Sequence, residues 1–295
     1  MLRRAPDRGT TLLELLVVLV LLTLVGGAIL RVAVGQQRFL DAVERVMETH
    51  RTVREGVDIP RQELRAVAAA SGGIYGMAAD HVEFQLLIGA SVICDLDSSR
   101  TTVAIPDRRS WSTLTSWVVA PREGDTVLVF DAATDSRAPR WWVHTLTTAP
   151  AAGGRCPVKS GLARTAAEEG AALAFQLAPP LELTAGAGAA LRFVRRARYQ
   201  LYHAGDGRWY LGFLDCAPAR AVPCSTIQPV SGPFPAGGVR FAFRDSTGAL
   251  TSDPARVVRI DVLSSAQSTS SIRAIGFAFG FYADSTVASI ALRNR

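Results

Sequence analysis

MLRRAPDRG-TTLLELLVVLVLLTLVGGAIL, residues 1–30, decides how the rest of this chain is read. From Leu12 to Leu30 every residue is apolar or small except Glu14 and Thr23. As a helix the stretch covers about 28 Å, close to the ~30 Å hydrocarbon core of a bilayer. Arg3, Arg4 and Arg8 precede it, offset only by Asp7. The positive-inside rule therefore places the N-terminus in the cytoplasm and sends the remainder across. Three readings compete. A secretory signal peptide would be cut after the apolar run, near Gly26, Gly27 and Ala28. A plain signal anchor would never be cut. A third kind of leader would be cut before the apolar run. Glu14 discriminates among them, because a carboxylate inside an apolar helix costs up to about 2.5–3.5 kcal/mol near the bilayer centre. Neither a signal peptide nor a plain anchor uses it. If the chain is cut after Gly9, Thr10 carries a free amine, and Thr10 and Glu14 stand at i and i+4 on one helix face. The carboxylate can then pair with its own amine or a neighbour's, setting register between packed helices as a buried polar residue does in a coiled coil.

The string Gly9 to Leu19, G-T-T-L-L-E-L-L-V-V-L, resembles the class III signal of type IV pilins and pseudopilins. The resemblance implies that a prepilin peptidase cuts between Gly9 and Thr10. It further implies that Thr10 is N-methylated and that Glu14 is the assembly carboxylate at the fifth mature position. The family usually has Phe where this chain has Thr10.

Downstream, Phe39, Val43, Val46, His50, Val53 and Val57 follow a 4-3-4-3-4 spacing, with charged residues on the other faces. This predicts an amphipathic extension of the helix lying on the chain's own domain. Gly56 and Pro60 are expected to end it, with a short second helix through RQELRAVAAAS. Strands are expected in HVEFQLLIGASVIC, TSWVVA, DTVLVFDA and RWWVHTL. Residues 151–190 read as loop with one helical turn around Ala166–Ala172. RFVRRARYQLYH (192–203) and RWYLGFL, joined by the turn Ala204–Gly207, read as a β-hairpin. VRFAFRD, ARVVRIDVL and the C-terminal stretch supply further strands. The expected fold class is α+β: a long N-terminal transmembrane and amphipathic helix, then a β-rich antiparallel-sheet domain.

The distal strings Arg195–Leu201, Val239–Gly248, Val257–Leu263 and Leu292–Asn294, in that order, resemble the PilW/PulJ-type branch of minor pilins and J-type pseudopilins. The resemblance implies three regions: a leader at 1–9, the helix at 10–59 and a periplasmic pilin-like domain at 60–295. Implied partners are other pilins or pseudopilins, the prepilin peptidase and an inner-membrane assembly platform. The setting implied is the bacterial inner membrane, then a type IV pilus or type II secretion pseudopilus, near the filament tip.

The chain has 295 residues, 48% hydrophobic and 20% charged, which suits a folded protein with a core. Its net charge of +6 comes from arginine, since Lys159 is the only lysine, and the arginines are scattered rather than blocked. Cys94, Cys156, Cys216 and Cys224 form no C-x-x-C pair and would share an oxidising compartment after export. Of three connectivities, Cys216–Cys224 is favoured because it closes a short Pro-rich loop. Cys94–Cys156 follows by elimination, and four buried free thiols are the alternative.

No catalytic motif is present, so no enzymatic activity and no cofactor or metal is expected; the rival class is an anchored periplasmic enzyme, which would need a pocket holding convergent polar groups. His50, His81, His144 and His203 lack ligand spacing and read as surface or half-buried imidazoles. Asp95 and Asp97 suggest a calcium loop only weakly, since an EF-hand's glycine and glutamate are missing. Arg192, Arg195, Arg196 and Arg198 have two readings. One is a basic face for nucleic acid, with Tyr202, Trp209 and Tyr210 to stack bases, on an adhesive or DNA-binding tip subunit. The other is an ordinary solvent-facing strand. Trp141 and Trp142 are consecutive, so in a strand only one can face the core.

Overall fold

The structure is a computed structural model and describes residues 11–69, 72–110, 113–132, 138–182, 184–216, 224, 227–272 and 279–292. Helix α1 (Leu12–Leu64) opens it, followed by a β-rich domain of antiparallel strands, as the α+β expectation requires. The chain divides into two compact units.

The first unit holds α1 up to Arg51 together with residues 266–284. Side chains from Thr11 to Asp41 are exposed throughout. Beyond them Ala42 and Thr49 are buried. Arg45 Nη1 donates to the Ser271 carbonyl at 3.1 Å. His50 Nδ1 lies 2.7 Å from Asp284 Oδ2, and its Nε2 lies 2.9 Å from the Tyr282 hydroxyl. The expected stripe is therefore rotated at its start. Phe39 is 47% exposed, and the packed line begins at Ala42 instead.

The second unit spans 52–265 and 285–295. Here α1 does not stop at Gly56 or Pro60 but continues to Leu64. Val53, Val57, Pro60, Leu64 and, just past the helix end, Val67 repeat at 4-3-4-3 spacing and are all buried. Burial of that face outweighs the hydrogen bond that an interior proline removes. Gly56 is a close approach, not a stop. A Cβ there would collide with Ser264 Oγ and come within 3.1 Å of Phe234 Cζ.

Fifteen strands follow among the described residues. In order they are β1 (Ile74–Met77), β2 (His81–Val92), β3 (Asp95–Leu96), β4 (Thr102–Ile105), β5 (Ser116–Trp117), β6 (Thr126–Asp131), β7 (Arg140–Leu146) and β8 (Ala151–Gly154). After the short helix α2 (Ala166–Gly170) come β9 (Ala172–Ala178), β10 (Ala190–His203), β11 (Trp209–Asp215), β12 (Ile227–Phe234), β13 (Val239–Arg244), β14 (Arg259–Gln267) and β15 (Ala283–Ala291). The large sheet runs β1-β2-β10-β6-β7-β9-β4-β3, and a second sheet runs β13-β14-β15.

Strand β10 is the axis of the large sheet. One edge pairs with β2 along nearly its whole length. The other edge pairs first with β6, at Leu191–Val194, then with β11, at Ala197–His203. The sheet thus forks at Arg195 and Arg196. Strand β12, which holds Pro229 and Pro233, pairs only with β11, and an edge is where a strand tolerates proline. Phe175, Phe193, Leu191, Leu146, Ile93 and Ile105 centre the main core. Cys94–Cys156 and Cys216–Cys224 are both disulfide-bonded, the favoured pairing. The first sits in a smaller buried cluster with Ala104, Ala163 and Ala172.

Two expectations differ from the fold. TSWVVA contracts to the two residues of β5, and Val118 beyond them is 92% exposed, because β5 pairs only with β2. Residues 151–190 hold the expected helical turn, α2, capped by Thr165 accepting from Glu168 N–H. They also hold β8, β9 and the start of β10. Alanine at alternate positions hides the period of β9, whose inward Phe175 and Leu177 are buried.

Candidate functional site

The head of α1 carries the residues singled out for assembly. Gly9 and Thr10 lie outside the described residues. Glu14 lies in the first turn. Its backbone N–H donates to Thr11 Oγ1 at 3.3 Å, and its carboxylate Oε2 accepts from Thr11 N–H at 3.4 Å. This reciprocal pair is a capping box, T-x-x-E, which satisfies two of the donors a helix start leaves open. Thr11 was not singled out in the sequence, although its spacing to Glu14 is the readable signal. The glutamate therefore has a local partner within its own chain, and at a helix N-terminus its charge also suits the macrodipole.

Behind Glu14 the helix is bare. Sixteen Leu, Val and Ile side chains between Leu12 and Val34 are exposed. They are 38–84% exposed, so at about 1.5–3 kcal/mol per fully covered side chain the cover is worth roughly 15–30 kcal/mol. That is at least as large as the ~5–15 kcal/mol that stabilises a typical domain, which makes water a costly medium for this sleeve. The helix is long and apolar enough to serve as a membrane anchor. Gly26, Gly27 and Gly35 have nothing within 4 Å of where a Cβ would stand.

The four arginines of β10 form no basic surface, and the solvent-facing alternative fails with it for the central two. Arg195 and Arg196 are 7% and 8% exposed. Arg195 grips Asp125 with two bonds, Nε to Oδ1 at 2.8 Å and Nη2 to Oδ2 at 2.7 Å. It also lies 3.6 Å from Asp215. Asp125 precedes β6 and Asp215 ends β11, so Arg195 ties both strands at the fork. Arg122 adds a 2.8 Å bond to Asp215. On the other side Arg196 and Arg198 share the carboxylate of Glu83 on β2. Burial by itself raises Glu83, but hydrogen bonds and charge from the two arginines outweigh it and hold the carboxyl below its usual range. Arg192 alone stays clear of carboxylates among the described residues and lies 4.4 Å over the Trp141 ring. A register shift between Phe193 and Val194 breaks strict alternation, and the flanking strands cover what a hairpin alone would expose.

The aromatics named with those arginines do not join them. Tyr202 and Tyr210 pair across the hairpin 6.3 Å apart, and Trp209 stands against His203. Trp141 and Trp142 are both half-buried. Trp142 Nε1 donates to Asp131 at 3.2 Å.

The remaining residues are structural. His144 is buried, not at the surface: Nδ1 donates to the Pro179 carbonyl at 2.8 Å and burial pushes its pKa down. His81 lies 2.9 Å from Asp80. Asp97 Oδ1 accepts from Thr101 and Thr102 N–H at 2.9 Å each, closing the β3–β4 turn with oxygens a cation would need. Among the described residues no three His, Cys, Asp or Glu converge on a common point. Tyr199 donates to Glu63 of α1 at 2.7 Å, a link absent from any sequence motif.

No protein-family model, no curated protein and no solved structure matches the chain.

Proposed function

We propose that this chain is a minor pilin or pseudopilin. In this reading prepilin peptidase cuts it between Gly9 and Thr10, and Thr10 is methylated. The N-terminal helix holds it in the bacterial inner membrane, with the β-rich domain in the periplasm. It then assembles non-covalently with other pilins or pseudopilins on an inner-membrane platform, as a priming subunit near the filament tip. It performs no catalysis.

The observation that carries the reading is Glu14, a carboxylate at the head of a helix whose apolar side chains from Leu12 to Val34 are uncovered. A lipid bilayer covers that sleeve in the unassembled chain. A bundle of like helices covers it in a filament, where Gly26 and Gly27 permit close backbone approach. In the bundle Glu14 exchanges the Thr11 amide for the charged amine of a neighbouring subunit, a stronger partner in a low dielectric.

The deciding measurement is the intact mass and N-terminal sequence of the protein purified from membranes. A chain starting at Thr10, with or without one methyl group, is expected. A start near Ile29 would make it an ordinary secreted protein, and an intact Met1 would make it a plain anchored one.

A further inference from the structure

We infer that the outer face of the large sheet over β10, β6 and β7 is a docking surface for a different protein, which presents a carboxylate to Arg192 from an otherwise apolar surface. This rests on the sheet alone and stands whether or not the chain is a pilin.

Ala90, Arg192, Leu128 and Val143 lie side by side across four strands. Phe130 and Trp141 form the next pair on the same face, two residues along their strands. The opposite face, at Val127, Val129, Leu191 and Phe193, is fully buried core. An antiparallel sheet with one buried face ordinarily turns polar side chains outward. This one turns out leucine, valine, phenylalanine and tryptophan. Val143 is 55% exposed, and Leu128, Phe130 and Trp141 are half-buried. Thr126 and Thr145, paired at the margin, begin a polar rim. Aromatic and arginine side chains beside a polar margin, with no lysine or acid among the six, match the composition of interface centres.

Charge names the occupant. Arg192 is the one charged group among these six side chains, and among the described residues its contact is the Trp141 ring rather than any carboxylate. Its neighbours on β10 each hold an acid, so the omission is local to this face. A second copy docking symmetrically would bring Arg192 against Arg192 with no acid between them. A nucleic acid strand would need a track of cations, and this face has one. A partner protein with an apolar surface and one carboxylate satisfies both the apolar area and the guanidinium.

The test places a photo-crosslinking benzophenone residue at Val143 in the full-length chain, in its native membranes, and maps the crosslinked peptide by mass spectrometry. The expected product is a peptide of a different protein with an Asp or Glu inside an apolar segment. Arg192→Glu should cut its yield about tenfold or more. Changing the mapped carboxylate to arginine in the partner should restore it. Arg192→Leu keeps the packing, removes only the charge, and should lower the yield in the same direction. Crosslinks only to a second copy of this chain, only to lipid or nucleic acid, or to nothing would overturn the inference. So would a yield that Arg192→Leu leaves unchanged.

Discussion

Glu83 takes two arginines on one carboxylate at a site with almost no water, and the sign of its titration follows. Its folded pKa lies below the ordinary value, so its contribution is fully present above the usual glutamate range. That contribution is lost as pH falls through the folded value. Glu83→Gln removes the charge that Arg196 and Arg198 share and should destabilise the domain by about 3 kcal/mol at pH 7. Chemical denaturation of the variant and parent from pH 7 downward checks this, and the gap should close in acid. Glu63 runs the other way. Burial raises it, only partly offset by the Tyr199 hydroxyl. The stability it lends is full below the unfolded value and is lost as pH rises through the folded one. Glu63→Gln, which still accepts from Tyr199, should therefore raise the melting temperature at pH 7 and make no difference below about pH 4. Equal melting temperatures at pH 7 would mean the burial cost is already relieved in the folded protein.

Helix α1 carries glycines of opposite kinds. At Gly56 the β14 strand stands where a Cβ would go. An alanine in a helix interior ordinarily gains up to about 1 kcal/mol over glycine. Here steric crowding should reverse the sign, with Gly56→Val losing roughly 1–3 kcal/mol in a denaturation curve. At Gly26 and Gly27 nothing is near, so Gly26→Ala with Gly27→Ala should leave the single chain at least as helical by circular dichroism in detergent. If helices pack there in a filament, the same variant should lower filament yield while protein level holds. Filaments formed at the parental level would remove close packing as the role of these two glycines.

At the scale of the whole molecule, the proposed pilin reading requires membrane insertion and assembly to separate at one residue. Glu14→Ala should leave membrane association and cleavage after Gly9 intact, since the apolar sleeve and the leader are unchanged, yet abolish incorporation into filaments. Fractionation of membranes and sheared filaments reads both at once, and a variant that still assembles would reduce Glu14 to the capping role it has with Thr11. The two disulfides also differ in reach. Cys94–Cys156 closes 62 residues and Cys216–Cys224 closes 8. On chain-entropy grounds, replacing the first pair by alanine should cost about 4 kcal/mol and the second about 2–3 kcal/mol, measured by denaturation of each double variant.

Local pattern sufficed wherever one segment decides its own structure. The apolar run from Leu12 marks a helix that water cannot solvate, and alternation over residues 192–203 with the Ala204–Gly207 turn marks the hairpin, because both signals lie within a few residues. Cys216–Cys224 was legible for the same reason, as a short loop. What depends on neighbours from distant sequence was not legible. Arginine at positions 195 and 196 reads as solvent-facing until β2, β6 and β11 bring Glu83, Asp125 and Asp215 to it from separate parts of the chain. Pro60 reads as a helix end until the domain buries Val57, Pro60 and Leu64 as one face. Propensity and periodicity are properties of a segment, whereas the free energy of burying a charge or a proline belongs to whatever the fold places against it. The sequence by itself thus determined the long apolar helix, the hairpin and the fold class, and only the tertiary structure decided which charges are sealed inside and that Arg192 is left facing out.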